Sequence, residues 1–112
     1  PIIRVLPRED SENTSFKLTQ YTDSNKSIQI KTDKKIPITI DCEHCRVYYS
    51  PLVNSEYVES GNIKYKDLGW SDVGTIYWPR LFAGENILLM NGHVDYIIEG
   101  YYPYKRVGGW LA

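Results

Sequence analysis

Apolar and polar residues alternate along much of this chain with a period of two. Phe16 and Leu18 alternate with Lys17 and Thr19, and Ile28 and Ile30 alternate with Gln29 and Lys31. Successive side chains of an extended strand point to opposite faces, so each run predicts a strand with one face covered and one wet. Asp23-Ser24-Asn25-Lys26 between them is turn chemistry and makes the pair a hairpin. After a turn at Thr32 to Lys35, Ile36, Ile38, Ile40 and Cys42 share one face and Thr39 and Asp41 the other. Pro37 has no backbone N–H, which puts it at an edge or a strand start. Ile2 to Leu6 and Arg46 to Ser50 predict further short strands, and the polar run Arg8 to Thr14 a surface loop. No segment holds a 3.6-residue period through three turns. Short strands separated by turn signals are the pattern of an all-β sandwich or barrel.

The stretch Tyr77 to Gly92, Y-W-P-R-L-F-A-G-E-N-I-L-L-M-N-G, organises the rest. Pro79 suits the edge or start of a strand. Gly84-Glu85-Asn86 predicts a turn in which Gly84 takes φ > 0 and Asn86 bonds nearby backbone. Ile87 to Met90 is apolar at every position, which predicts a strand covered on both faces. Asn91-Gly92 is a strong hairpin signal, and Val94 to Glu99 is its return strand. The expected core contains Ile38, Ile40, Leu81, Ile87, Leu89, Val94, Tyr96 and Ile98. Pro51 to Lys66 predicts a long loop with one weak strand near Ile63 to Tyr65. A turn at Gly69 to Asp72 and a last strand between Tyr101 and Val107 complete the chain.

Composition narrows the function more than the fold. The 112 residues fit one domain, 1–112, with enough chain to bury a core. The formal net charge of −1 leaves no broad basic field for a nucleic-acid backbone. No apolar run approaches the roughly 20 residues of a membrane helix. The opening P-I-I-R-V-L-P has neither the charged nor the apolar region of a signal peptide, and reads as the start of a domain within a larger protein.

Candidate chemistry is sparse. Cys42-Glu43-His44-Cys45 is a C-x-x-C that supplies half of a zinc ligand set, with His93 the only histidine besides His44. A redox pair wants a helix N-terminus, whereas Arg46-Val47-Tyr48-Tyr49 is strand-like. The expectation is two reduced thiols, with no metal and no cofactor. His93 has no nucleophile beside it in a recognisable motif. Asp41 and Glu43 share a strand face, which solvated carboxylates do far more often than catalytic pairs. No catalytic residue is assigned. The aromatic residues Trp70, Tyr96, Tyr101, Tyr102, Tyr104 and Trp110 fill a core, meet a protein partner or stack on sugar rings.

Three blocks resemble the C-terminal domain of the phage distal tail protein family, a component of the siphophage tail tip. Pro1-Ile2-Ile3-Arg4-Val5 is similar to its opening P-x-I-x-V strand. Ile38-Thr39-Ile40-Asp41-Cys42-Glu43 is similar to its I-x-I-D-x-E strand, with Tyr48 near the place of a following tyrosine. Trp78-Pro79-Arg80-Leu81 with Gly84-Glu85-Asn86-Ile87 resembles its aromatic-Pro-x-Leu and G-x-N element. Ser50 to Val73 has no counterpart, and Tyr102-Pro103-Tyr104-Lys105-Arg106 stands where the family has a Pro-Arg-Trp-Arg ending. The resemblance implies a jelly-roll, galectin-like β-sandwich. It implies a non-catalytic structural role in a phage or prophage baseplate, with Pro79, Leu81, Gly84 and Asn86 as the structural turn motif. It implies other tail proteins as partners, a virion-tail location after assembly in the bacterial cytoplasm, and a hexameric ring formed by a region outside this chain, which is itself expected to be monomeric. The competing expectation is a carbohydrate-binding sandwich with glycan contacts at Trp70, Tyr101, Tyr102, Tyr104 and Trp110.

Overall fold

The computed structural model describes residues 1–63 and 76–99. They form ten strands: β1 (Ile2–Pro7), β2 (Phe16–Gln20), β3 (Lys26–Ile30), β4 (Ile38–Asp41), β5 (Arg46–Tyr49), β6 (Leu52–Val53), β7 (Glu56–Tyr57), β8 (Ser60–Asn62), β9 (Leu88–Asn91) and β10 (Val94–Glu99). The fold is all-β, and every pairing is antiparallel. A five-stranded sheet runs in the order β10-β1-β4-β5-β8 and a three-stranded sheet in the order β3-β2-β9, while β6 and β7 form a separate hairpin.

The two larger sheets share one core. Ile3, Val5, Ile38, Ile40, Val47 and Val94 come from the first, and Phe16, Leu18, Ile28 and Ile30 from the second. These are the alternate positions of their strands, so the period of two is the direct cause of the two-layer packing. Pro37 stands just before β4, at a strand start, and β4 is central in its sheet. Arg4 lies on the outer face of β1. Its Nε donates to Glu99 at 2.6 Å and its guanidinium lies 5.0 Å from the Tyr57 ring centroid. Thr39, also on that face, is fully buried and donates to Ser50 Oγ at 2.7 Å.

The β2–β3 hairpin forms as its pattern predicts. A single 3-10 turn at Tyr21–Asp23 and two residues with positive φ, Ser24 and Asn25, reverse the chain. The segment after Ser50 holds more structure than a long loop: the β6–β7 hairpin, and β8 at the edge of the larger sheet. β8 at Ser60–Asn62 pairs with Tyr48 and Tyr49 of β5. The weak strand expected near Ile63 to Tyr65, the turn at Gly69 to Asp72 and the last strand between Tyr101 and Val107 lie wholly or mostly outside the described residues.

Two expectations about the organising stretch are overturned. Val94 to Glu99 does not return along Ile87 to Met90. β9 pairs with β2 and β10 pairs with β1, so Asn91-Gly92 carries the chain from one sheet to the other. Each strand finds its hydrogen bonds in a different ladder, and a tight turn serves a crossing as readily as a hairpin. Nor is the apolar run covered on both faces. Leu88 and Met90 pack on the core, whereas Ile87 is 54% and Leu89 41% exposed. β9 is the edge of a three-stranded sheet with one packed face, so only its alternate residues are covered. Ile87 and Leu89 therefore leave the core, Leu81 is half-buried, and Ile38, Ile40 and Val94 are in the core with Tyr96 and Ile98 packed against it.

Candidate functional site

The Tyr77–Asn86 segment contains no strand, and its shape comes from side chains. Pro79 is fully buried in this irregular segment and starts no strand. Gly84 has φ +89°. The Asn86 side chain imitates a backbone pair: Oδ1 accepts from Phe82 N at 2.8 Å and Nδ2 donates to Phe82 O at 2.9 Å. Gln20 then ties this loop to β2. It is fully buried, and its Nε2 donates to Arg80 O at 2.6 Å and to Asn86 Oδ1 at 3.3 Å. Sequence reasoning missed Gln20, although its position shows it: Phe16, Leu18 and Gln20 share one face, so a polar group stands at the end of an apolar row. Such a group is buried only with a partner.

Tyr77 makes the second tie. Its hydroxyl donates to Asp23 Oδ2 at 2.8 Å and accepts from Arg80 N at 3.3 Å. Burial and the carboxylate beside it push the phenol up to about 12. Ile87 O accepts from Tyr21 N, and Ile87 N donates to Thr22 Oγ1, so the loop's exit is held at the same corner. These contacts are structural and place no reactive group against another.

Cys42 to Cys45 is the loop between β4 and β5, closed by the Asp41–Arg46 pair. Glu43 therefore stands in a turn and not on the Asp41 strand face, and the carboxylates are not paired. Asp41 is half-buried: its carboxylate accepts from His44 N at 3.3 Å and lies 2.9 Å from His44 Nδ1. Cys45 has φ +52° and is exposed. Cys42 is half-buried, and burial pushes its thiol up to about 11. A redox or metal-binding cysteine needs the opposite shift. Both cysteines are free, and no group of three His, Cys, Asp or Glu side chains is placed to hold a metal among the described residues. His93, at the sheet crossing, lies 3.7 Å from Asp10, and both are exposed.

A groove of about 1100 Å³ lies at one end of the sandwich. There the start of β2 and the ends of β3 and β9 meet the ends of β5 and β8. Phe16, Ile30 and Ile63 are its buried members. Lys17, Lys31 and Lys34 stand around it with Asp33, Tyr49 and the amides of Asn13, Gln29, Asn62 and Asn91. None of these residues was singled out from the sequence as part of a site, because they come from five strands and the loops beside them. The aromatic candidates Trp70, Tyr101, Tyr102, Tyr104 and Trp110 lie outside the described residues. Among the described residues, no helix is long and apolar enough to cross a membrane. No protein family, curated protein or solved structure matched the chain.

Proposed function

We propose that this chain is a non-catalytic structural module of a phage or prophage tail tip that docks neighbouring tail proteins. The observation that carries the reading is the set of three sequence blocks, in order, that resemble the distal tail protein family. The role of those blocks in the fold supports it. Ile2–Pro7 and Ile38–Asp41 are paired neighbours in the larger sheet. The Pro79–Asn86 block forms the loop that Gln20 and Tyr77 tie to the smaller one. The blocks are thus framework elements of one all-β scaffold, which is what a family of structural proteins would share. On this reading the sandwich is of the jelly-roll, galectin-like kind, the protein sits in the virion tail after assembly in the host cytoplasm, and ring formation belongs to another region of the polypeptide.

Two measurements test the reading. Gold-labelled antibody raised against the chain should decorate the tail tip of particles induced from the source bacterium, and the coding region should lie beside a tape-measure gene. Particles that carry no label, together with a coding region outside any tail-gene cluster, would overturn it. Light scattering should show a monomer, and a stable hexamer of the chain alone would contradict the assignment of ring formation elsewhere.

A further inference from the structure

We propose that the groove at the end of the sandwich binds an acidic glycan, with uronate-type carboxylates seated on Lys17, Lys31 and Lys34. The proposal does not depend on the tail-tip reading. Its first support is charge. The groove carries three lysines against one aspartate in a chain whose net charge is −1. Among the described residues none of the three lysines belongs to an ion pair, whereas Arg4, Arg8, Lys26 and Arg46 all do. Cations gathered at one concavity raise the local concentration of an anion.

The second support is that the cationic side is built in advance. Ser15 Oγ donates to Thr32 O at 2.9 Å and accepts from Thr32 N at 3.0 Å. Thr32 Oγ1 accepts from Lys34 N and lies 2.6 Å from the Tyr49 hydroxyl. Lys34 O accepts from Thr14 N, and the Lys34 ammonium lies 5.0 Å from the Tyr49 ring centroid. The loop that presents Lys31 and Lys34 is therefore fixed to the segment leading into β2 and to β5, so its backbone needs little ordering when a ligand arrives.

The third support chooses a glycan over an acidic peptide. The volume of about 1100 Å³ stands at the top of the range of small-molecule sites and leaves room for several sugar rings. The apolar members Phe16, Ile30 and Ile63 are all at least nine-tenths buried in the core and offer no pockets for peptide side chains. The rim instead offers amides at Gln29, Asn62 and Asn91, which both donate and accept as sugar hydroxyls require, and one aromatic ring at Tyr49.

Calorimetry and amide-shift mapping test this with a hexamer of galacturonate, a neutral galactose hexamer and a hexaglutamate peptide. The uronate hexamer should bind with shifts at Lys31, Lys34 and Asn62, weaken as salt is raised, and bind more tightly than the other two. The double variant Lys31→Gln/Lys34→Gln, checked by thermal melt for an intact fold, should weaken it about fivefold or more. Lys26→Gln, outside the groove, should leave it unchanged. Absence of uronate binding at millimolar concentration would overturn the proposal. So would equal binding of the neutral hexamer, or binding unaffected by the double variant. Preference for hexaglutamate would replace the glycan with an acidic peptide.

Discussion

At the scale of single residues, two glycines with positive φ separate backbone strain from collision. Gly84 has φ +89° and nothing within 4 Å of where a Cβ would sit. Gly84→Ala therefore meets strain alone, and chemical denaturation should show a loss of about 1 kcal/mol. Gly92 has φ +135°, and a Cβ there would lie 2.7 Å from Ser15 O and 3.3 Å from Phe16 Cα. Both neighbours are backbone and cannot swing aside, so Gly92→Ala should cost clearly more, about 2–4 kcal/mol. Equal losses at the two sites would mean that the sheet crossing relaxes freely. The cysteines differ in the same local way. A thiol raised from 9.0 to about 11 holds ~100-fold less thiolate at pH 8 than an unperturbed one. Peptide mapping after iodoacetamide at pH 8 should find exposed Cys45 labelled well before Cys42. The raised value also has a stability consequence. The unfolded thiol ionises from pH 9 upward while the folded one stays neutral to about 11, so this contribution is present below 9 and lost between 9 and 11.

At the scale of elements, strands with clean alternation were legible and the loop that organises them was not. β2, β3 and β4 follow directly from residues such as Leu18, Ile28 and Ile40, because a period of two admits one solution per face. Ile87 to Met90 misled for the opposite reason: an unbroken apolar run does not say whether one face or two are covered, and only the place of β9 at a sheet edge decides it. Asn91-Gly92 misled because a turn signal is local while strand partners are chosen elsewhere. The loop's anchor, Gln20, was legible only as an anomaly on an apolar face. Its replacement tests whether the loop depends on it. Gln20→Leu keeps the volume but leaves Arg80 O without its donor and Asn86 with one partner fewer. An unmade buried hydrogen bond costs about 1–3 kcal/mol, so a loss of that size is expected, with faster amide exchange at Phe82. Tyr77→Phe should cost about 1–2 kcal/mol through the Asp23 bond. Because Gln20 and Tyr77 both hold the Arg80 backbone, the double variant should depart from the sum of the two losses. No loss in either variant would mean that the loop is held by packing at Pro79 instead.

At the scale of the whole molecule, what local pattern cannot show is which distant strands meet. The all-β class and two-layer packing were legible because every strand carries its own inner face. The order β10-β1-β4-β5-β8 was not, since β1 and β10 join residues as far apart as Ile2 and Glu99. The groove was illegible for the same reason, being assembled from Lys17, Lys31, Tyr49, Asn62 and Asn91 only after the sheets close. The β1–β10 pairing gives a decisive test of the architecture. All six residues of β1 have a partner in β10, from Ile2↔Glu99 to Pro7↔Val94, and Val94 is in the core. A chain ending at His93 loses that ladder, leaves the backbone of β1 as a bare edge and opens the core beside Ile3 and Val5, both otherwise fully buried. Those losses together exceed the roughly 5–15 kcal/mol by which a domain is stable. The truncated chain should therefore show no cooperative thermal transition by circular dichroism. A transition within a few degrees of that of the whole chain would mean that β10 is an appendage and that the larger sheet is complete with β1 as its edge.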